Sequence, residues 1–240
     1  MLQLEKLTVR FGGLIAVNDI SLSIEPQDFL GLVGPNGAGK TTLFNAISGL
    51  VRPSTGNIFF NSVNILKTTL HRRARLGIGR TFQVPQPMHE LSVRENLLVA
   101  QRFGTGRVKA ARVDELLDFL DLADKADRHA ATDLSLTELK ALEVGKALAT
   151  DPKLLLLDEV LSGLETTGKR QFMKTLTNLH ETYRIGILII EHDIETISSL
   201  CQRVCVMNFG RLIAEGTAEE VFNNPEVIKS YTGESHARNQ

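Results

Sequence analysis

The chain reads as an α/β protein: a mostly parallel sheet covered by helices, an antiparallel β portion at the N-terminal end and a helical portion inserted in the middle. Three observations carry that reading. Apolar residues alternate at Leu2, Leu4, Leu7 and Val9, and again at Ile20, Leu22 and Ile24, the period of half-buried strands. Continuous apolar runs, FLGLVG from Phe29 to Gly34, LLLLD from Leu154 to Asp158 and GILII from Gly186 to Ile190, suit strands buried on both faces. Helical stretches separate these runs, and strands alternating with helices build parallel sheets.

Taken in order, the two alternating stretches predict antiparallel strands. FLGLVG then predicts a buried strand that runs into a glycine-rich loop and the helix KTTLFNAISGL. Between residues 92 and 150 the character changes. SVRE and SLTE each have the pattern of a capping box, and the segments after them show helical spacing without β-branched runs. LLLLD is followed by a helix to about Tyr183, the strand GILII, a helix from about Ile194, the strand VCVM (204–207) and the turn NFGR. The polar end GESHARNQ reads as a frayed tail. The expected organisation is one domain, with a core at 1–88 and 151–232, a helical subdomain at 89–150 and a tail at 233–240.

The 240 residues are 42% hydrophobic and 23% charged, and 27 basic against 28 acidic side chains leave a net charge of −1. A chain this long buries about 70% of its unfolded surface, so a core needs no disulfide or structural metal. The balanced charge argues against a nucleic-acid binder with a broad basic face, and the absence of Trp with only 2 Tyr argues against base stacking. Cys201 and Cys205 have no neighbouring His or second Cys pair, which favours buried thiols over zinc. MLQLEKLTVRF lacks the basic and apolar regions of a secretory signal, and no apolar run approaches the ~20 residues that span a bilayer. A cytosolic chain that meets a membrane only through partners is expected.

Gly34-Pro35-Asn36-Gly37-Ala38-Gly39-Lys40-Thr41 fits G-x-x-x-x-G-K-[ST] between a strand and a helix. Glycines let backbone N–H groups turn toward anionic oxygens, and the helix that begins near Lys40 adds its positive end. Lys40 should reach the β- and γ-phosphates, and Thr41 offers a hydroxyl to Mg²⁺. Gly34, Asn36, Gly37, Ala38, Gly39, Lys40, Thr41 and Thr42 are the candidate nucleotide contacts. LLLLDE places Asp158 at the carboxyl end of a buried strand, where it can support the Mg²⁺ shell, and Glu159 follows as the group to polarise an attacking water.

With these residues the chain resembles the ATP-binding subunits of ABC transporters over nearly its whole length. The resemblance implies a P-loop NTPase (RecA-like) core with an antiparallel β subdomain and an inserted α-helical subdomain, binding ATP and Mg²⁺. It gives Phe11 the place of the aromatic that stacks on adenine and Val17 that of an apolar flank. Gln83 in GRTFQ matches the glutamine that joins Mg²⁺ and the attacking water, and His192 in IIEHD matches the histidine at the γ-phosphate. GIGRTFQ, SVRENLLVA, IIEHD and NPEVIKSYTGE look most like importers of branched-chain amino acids and related amides or urea. Such importers pair two ATPases with two membrane permease subunits fed by an extracytoplasmic binding protein. Their coupling helix docks near Gln83, where Val84-Pro85-Gln86-Pro87-Met88 would form the rim or a simple connector.

The pattern breaks at the family's signature, Leu-Ser-Gly-Gly-Gln. Here the stretch is Leu134-Ser135-Leu136-Thr137-Glu138. In the family this segment completes the ATP site of the opposite subunit, and Ser135 is its remaining candidate contact. Thr137 adds a side chain where backbone should approach phosphate, and Glu138 adds a carboxylate. Ser135 and Glu138 equally form a capping box. Val160 stands for the usual proline after Asp-Glu, and Glu165 stands for an aspartate of the dimer-contacting loop. These departures predict an asymmetric heterodimer of ATPases with one competent site. The resemblance implies a place on the cytoplasmic face of the membrane, held by the permease subunits, and no nucleic acid is expected as a partner. A regulatory subunit that binds ATP and barely hydrolyses it is the alternative, and the single phosphate loop without a long insertion or basic extension argues against a third reading, a soluble relative acting on DNA or ribosomes.

Overall fold

The computed structural model describes residues 1–232, and the frayed tail expected at 233–240 lies outside the described residues. The described residues divide into two compact units, one of residues 1–70 with 188–232 and the other of residues 71–187.

In the first unit, β1 (Leu2–Phe11) and β2 (Leu14–Ile24) pair antiparallel, and β4 (Thr55–Phe60) and β5 (Val63–Asn64) extend the sheet in the order β2-β1-β4-β5. The alternation read from the sequence is the cause: Leu2, Leu4, Leu7, Val9, Ile20, Leu22 and Ile24 are all buried. Leu2 faces Ile24 and Leu4 faces Leu22, so each apolar residue meets another across the strands.

The same unit holds β3 (Phe29–Val33), buried at every residue, beside β9 (Arg203–Asn208) in parallel register, with Leu32 opposite Cys205. β10 (Arg211–Gly216) folds back antiparallel on β9, and β8 (Gly186–Ile190) enters the unit on the other side of β3. Helix α1 (Lys40–Ser48) starts at the end of the glycine-rich loop and buries Leu43, Phe44, Ala46 and Ile47. Both cysteines are free and buried, as expected.

The second unit opens within α2 (Leu70–Leu76) and contains β6 (Ile78–Arg80) and β7 (Leu154–Asp158), paired in parallel with Arg80 opposite Leu156. Between them stand α3 (Val93–Thr105), α4 (Ala110–Phe119) and α5 (Leu136–Ala149), the expected helical region. Ser92 with Glu95 and Ser135 with Glu138 form complete capping boxes, so both predicted helix starts lie where the sequence put them. Helix α6 (Thr166–Tyr183) follows β7, and in the first unit α7 (Ile194–Leu200), α8 (Ala218–Phe222) and α9 (Pro225–Thr232) complete the described residues.

Candidate active site

The phosphate-loop residues belong to the first unit, where the loop is pinned at its ends and open at its middle. Gly34 has φ 145° and Gly39 φ 102°; a Cβ on them would lie 2.0 Å from the Met207 carbonyl oxygen and 2.2 Å from that of Ala16. Only glycine fits against those two backbones. Gly37, at φ 80°, has nothing within 4 Å of the same position, so its surface is open to a ligand. The turn between β9 and β10 braces the loop, since the Gly210 N–H donates to the Ala38 carbonyl at 2.9 Å.

Lys40 is the first residue of α1 and is buried. Its Nζ donates to the carbonyls of Gly34 at 2.7 Å and Pro35 at 3.0 Å, which holds the ammonium over the start of the loop. Gly39 at the helix start supplies no capping side chain, and the first N–H groups of α1 sit beside the open loop. A helix N-terminus and an ammonium beside a glycine-rich loop form a donor set that fits phosphate. Thr41 is exposed and Thr42 half-buried.

Phe11 ends β1 with half its surface exposed, as a stacking platform requires, whereas Val17 is wholly buried opposite Val9 and packs into the core of the sheet. Asn18 N–H donates to the Gly210 carbonyl at 2.8 Å, which ties β2 to the same turn that braces Ala38. His192 lies exposed just beyond β8, next to Asp193, whose carboxylate caps α7 through the Glu195 N–H.

The second unit carries the acidic pair at the end of β7. Asp158 is buried, and its Oδ2 accepts from Arg80 Nη2 at 3.1 Å, while its N–H donates to Thr81 Oγ1 at 3.2 Å. Burial lowers the Arg80 pKa, and the Asp158 charge opposes that shift. The Arg80 guanidinium also lies over the Phe82 ring, 5.1 Å from its centre. Gln83 Nε2 donates to Glu159 Oε2 at 2.6 Å, so these two predicted residues meet.

The segment after Gln83 is clamped along its backbone. Gln86 N–H donates to Glu143 Oε1 at 2.8 Å, Lys146 Nζ donates to the Gln86 carbonyl at 2.5 Å, and Met88 N–H donates to Asn96 Oδ1 at 2.8 Å. Val84 projects from it with 64% of its surface exposed.

Ser135 caps α5 and is closed upon itself. Its hydroxyl donates to Glu138 Oε2 at 2.8 Å, its N–H donates to the same oxygen at 2.8 Å, and Lys125 pairs with the other oxygen of Glu138. Burial pushes the Glu138 carboxyl up, but hydrogen bonds from Lys125 and Ser135 outweigh it and hold the group below the ordinary carboxylate range. Val160 is buried, and Glu165 stands before α6 without a side-chain cap bond.

Sequence reading missed Arg80, Lys140 and Glu143. Arg80 neutralises Asp158; its signal was an arginine three residues before Gln83 in GRTFQ. Lys140 and Glu143 resemble a solvated helix face, yet both are 4% exposed. Their signal was the apolar residues around them, from Leu139 to Ala149.

The chain as a whole has counterparts among known proteins. The family model described as ABC transporter matches residues 17–162, more than half of the chain. The chain belongs to the ABC transporter ATP-binding family. A second model, described as branched-chain amino acid ATP-binding cassette transporter, matches residues 211–237.

Among the relatives of this ABC ATPase, the high-affinity branched-chain amino acid transport ATP-binding proteins LivG of Escherichia coli and BraF of Pseudomonas aeruginosa are each 35% identical, over 98% of this chain and of theirs. The lipopolysaccharide export ATP-binding protein LptB of Haemophilus influenzae is 33% identical over 98% of both chains. The ADP conformation of MJ1267, an ATP-binding cassette of an ABC transporter, superposes with a TM-score of 0.87 at 31% identity, over 98% of this chain and 99% of that one. The predicted fold class and ATPase activity hold for this ABC chain. Among its described residues no helix is long and apolar enough to cross a membrane.

Proposed function

We propose that this ATPase serves an importer of branched-chain amino acids or related small solutes. In this reading it pairs with a second, different ATPase to drive two membrane permease subunits from the cytoplasmic face of the cell membrane, with an extracytoplasmic binding protein supplying the solute. Relatives named for branched-chain amino acid transport and for lipopolysaccharide export are of similar identity, so the match at 211–237 is what favours the amino-acid class. The observation that carries the heterodimer is the Ser135 hydroxyl bonded to Glu138, which engages the group a partner's nucleotide needs.

In the mechanism, the phosphate-loop N–H groups and Lys40 bind the triphosphate, and Phe11 offers its exposed ring to the base. Mg²⁺, when bound, neutralises charge developing on the β- and γ-phosphates. The resemblance gives Thr41, Asp158 and Gln83 as the residues that would hold it, each an oxygen donor of the kind a hard cation prefers. Glu159, oriented by Gln83, takes the proton of the attacking water, and His192 donates to the γ-phosphate.

The test is ATP hydrolysis and amino-acid uptake in vesicles holding the chain with its partner subunits. Glu159→Gln here should stop both while leaving ATP binding intact. Uptake that proceeds unchanged with this variant contradicts the assignment of the working site to this chain.

A further inference from the structure

Lys140 lies in the second turn of α5 with only 4% of its surface exposed, and its Nζ donates to the main-chain carbonyl of Glu159 at 2.8 Å. Glu159 has φ 49°, in the left-handed region that residues other than glycine rarely adopt. Such a backbone persists where its surroundings hold it, and departures of this kind cluster at functional sites. The carbonyl also accepts from the Ser162 N–H at 3.2 Å, and the carboxylate accepts from Gln83 at 2.6 Å.

Glu143 and Lys146 lie three and six residues beyond Lys140 on the same helix and grip Gln86 by its N–H and its carbonyl. One helix therefore fixes both the backbone of Glu159 and the segment that follows Gln83. The side chains of those two residues then meet.

We propose that Lys140 is a positioning residue for ATP hydrolysis. It holds Glu159 in the conformation that presents its carboxylate to Gln83, and it links the helix opened by Ser135 to that carboxylate within one chain. It touches no reacting atom. A displacement of α5 by events at its Ser135 end reaches the Glu159 carbonyl through this bond. The inference rests on the reading of Glu159 as the base for water attack.

The test uses the full chain assembled with its partner ATPase and permeases, comparing Lys140→Met, Lys140→Arg and Glu159→Gln. Lys140→Met should lower kcat at least about tenfold with KM for ATP changed less than about twofold, the pattern of a lost transition-state contribution. Lys140→Arg, which restores a donor, should recover at least about a third of the wild-type rate, on the same comparison of kcat values. Thermal melting checks folding, and Lys140→Gln, expected to show the same split, replaces Lys140→Met if that variant is unfolded.

Wild-type kcat in the folded neutral variant, a rise in KM that accounts for the loss, or an arginine variant as slow as the methionine one overturns the role of Lys140. Glu159→Gln hydrolysing at the wild-type rate overturns the reading of Glu159 as base, and this inference with it. A slow Glu159→Gln beside a fast Lys140→Met overturns Lys140 alone.

Discussion

The amide nitrogen of Gln83 lies 2.6 Å from the Oε2 carboxylate oxygen of Glu159, joining the loop after β6 to the end of β7. A hydrogen bond to a charged group contributes ~1.5–3 kcal/mol, and exposure of Gln83 places this one near the lower end. Gln83→Ala should therefore lower kcat about tenfold and leave ATP binding within about twofold. Steady-state hydrolysis beside nucleotide titration checks both numbers.

Two loop glycines, Gly39 and Gly37, separate space from conformation. Gly39→Ala drives a Cβ to 2.2 Å from the Ala16 carbonyl oxygen at φ 102°, whereas Gly37→Ala meets nothing within 4 Å at φ 80°. Gly39→Ala should abolish nucleotide binding and lower the melting temperature. Gly37→Ala should cost only ~1 kcal/mol of backbone strain and keep the fold. Calorimetric melting with and without ATP distinguishes them.

Glu138 is held below the ordinary carboxylate range, so its bonds to Ser135 and Lys125 stabilise the fold above the unfolded pKa, and that contribution is lost as pH falls through the depressed folded value. Denaturant titrations of wild type and Glu138→Gln should differ at pH 7 and converge as pH drops below that folded value. Ser135→Ala, which removes the cap, should cost ~1 kcal/mol.

Burial pushes the Cys205 thiol up to about 12 and Cys201 higher still. Thiolate is the reactive form, so neither should react with a thiol reagent in the native protein. Labelling should follow the fraction unfolded as denaturant is added, and rapid modification of the folded chain would contradict this.

Much of the fold was legible because local signals agreed. Alternation at Leu2–Val9, the apolar runs at 29–34, 154–158 and 186–190, and the capping boxes at Ser92 and Ser135 each reappear in the structure. Short elements such as β6, with three residues, and β5, with two, are too brief for a period to register. At the site, glycine spacing exposed the phosphate loop, but Arg80 and Lys140 did not announce themselves. Their meaning comes from partners 78 and 19 residues away, and a charge in a helix reads as solvated until its burial is seen. The signature showed both faces at once: Ser135 and Glu138 fit a capping box, and the structure forms it in full.

The central claim is that this closed signature disables one of two ATP sites. The most direct measurement is steady-state ATP hydrolysis by the purified chain alone, beside a variant carrying Leu136→Gly, Thr137→Gly and Glu138→Gln. The account predicts a nearly silent native chain and turnover raised at least about tenfold by the three substitutions, about 1.4 kcal/mol of barrier. Brisk hydrolysis by the native chain, unchanged when the glycines are restored, would contradict it.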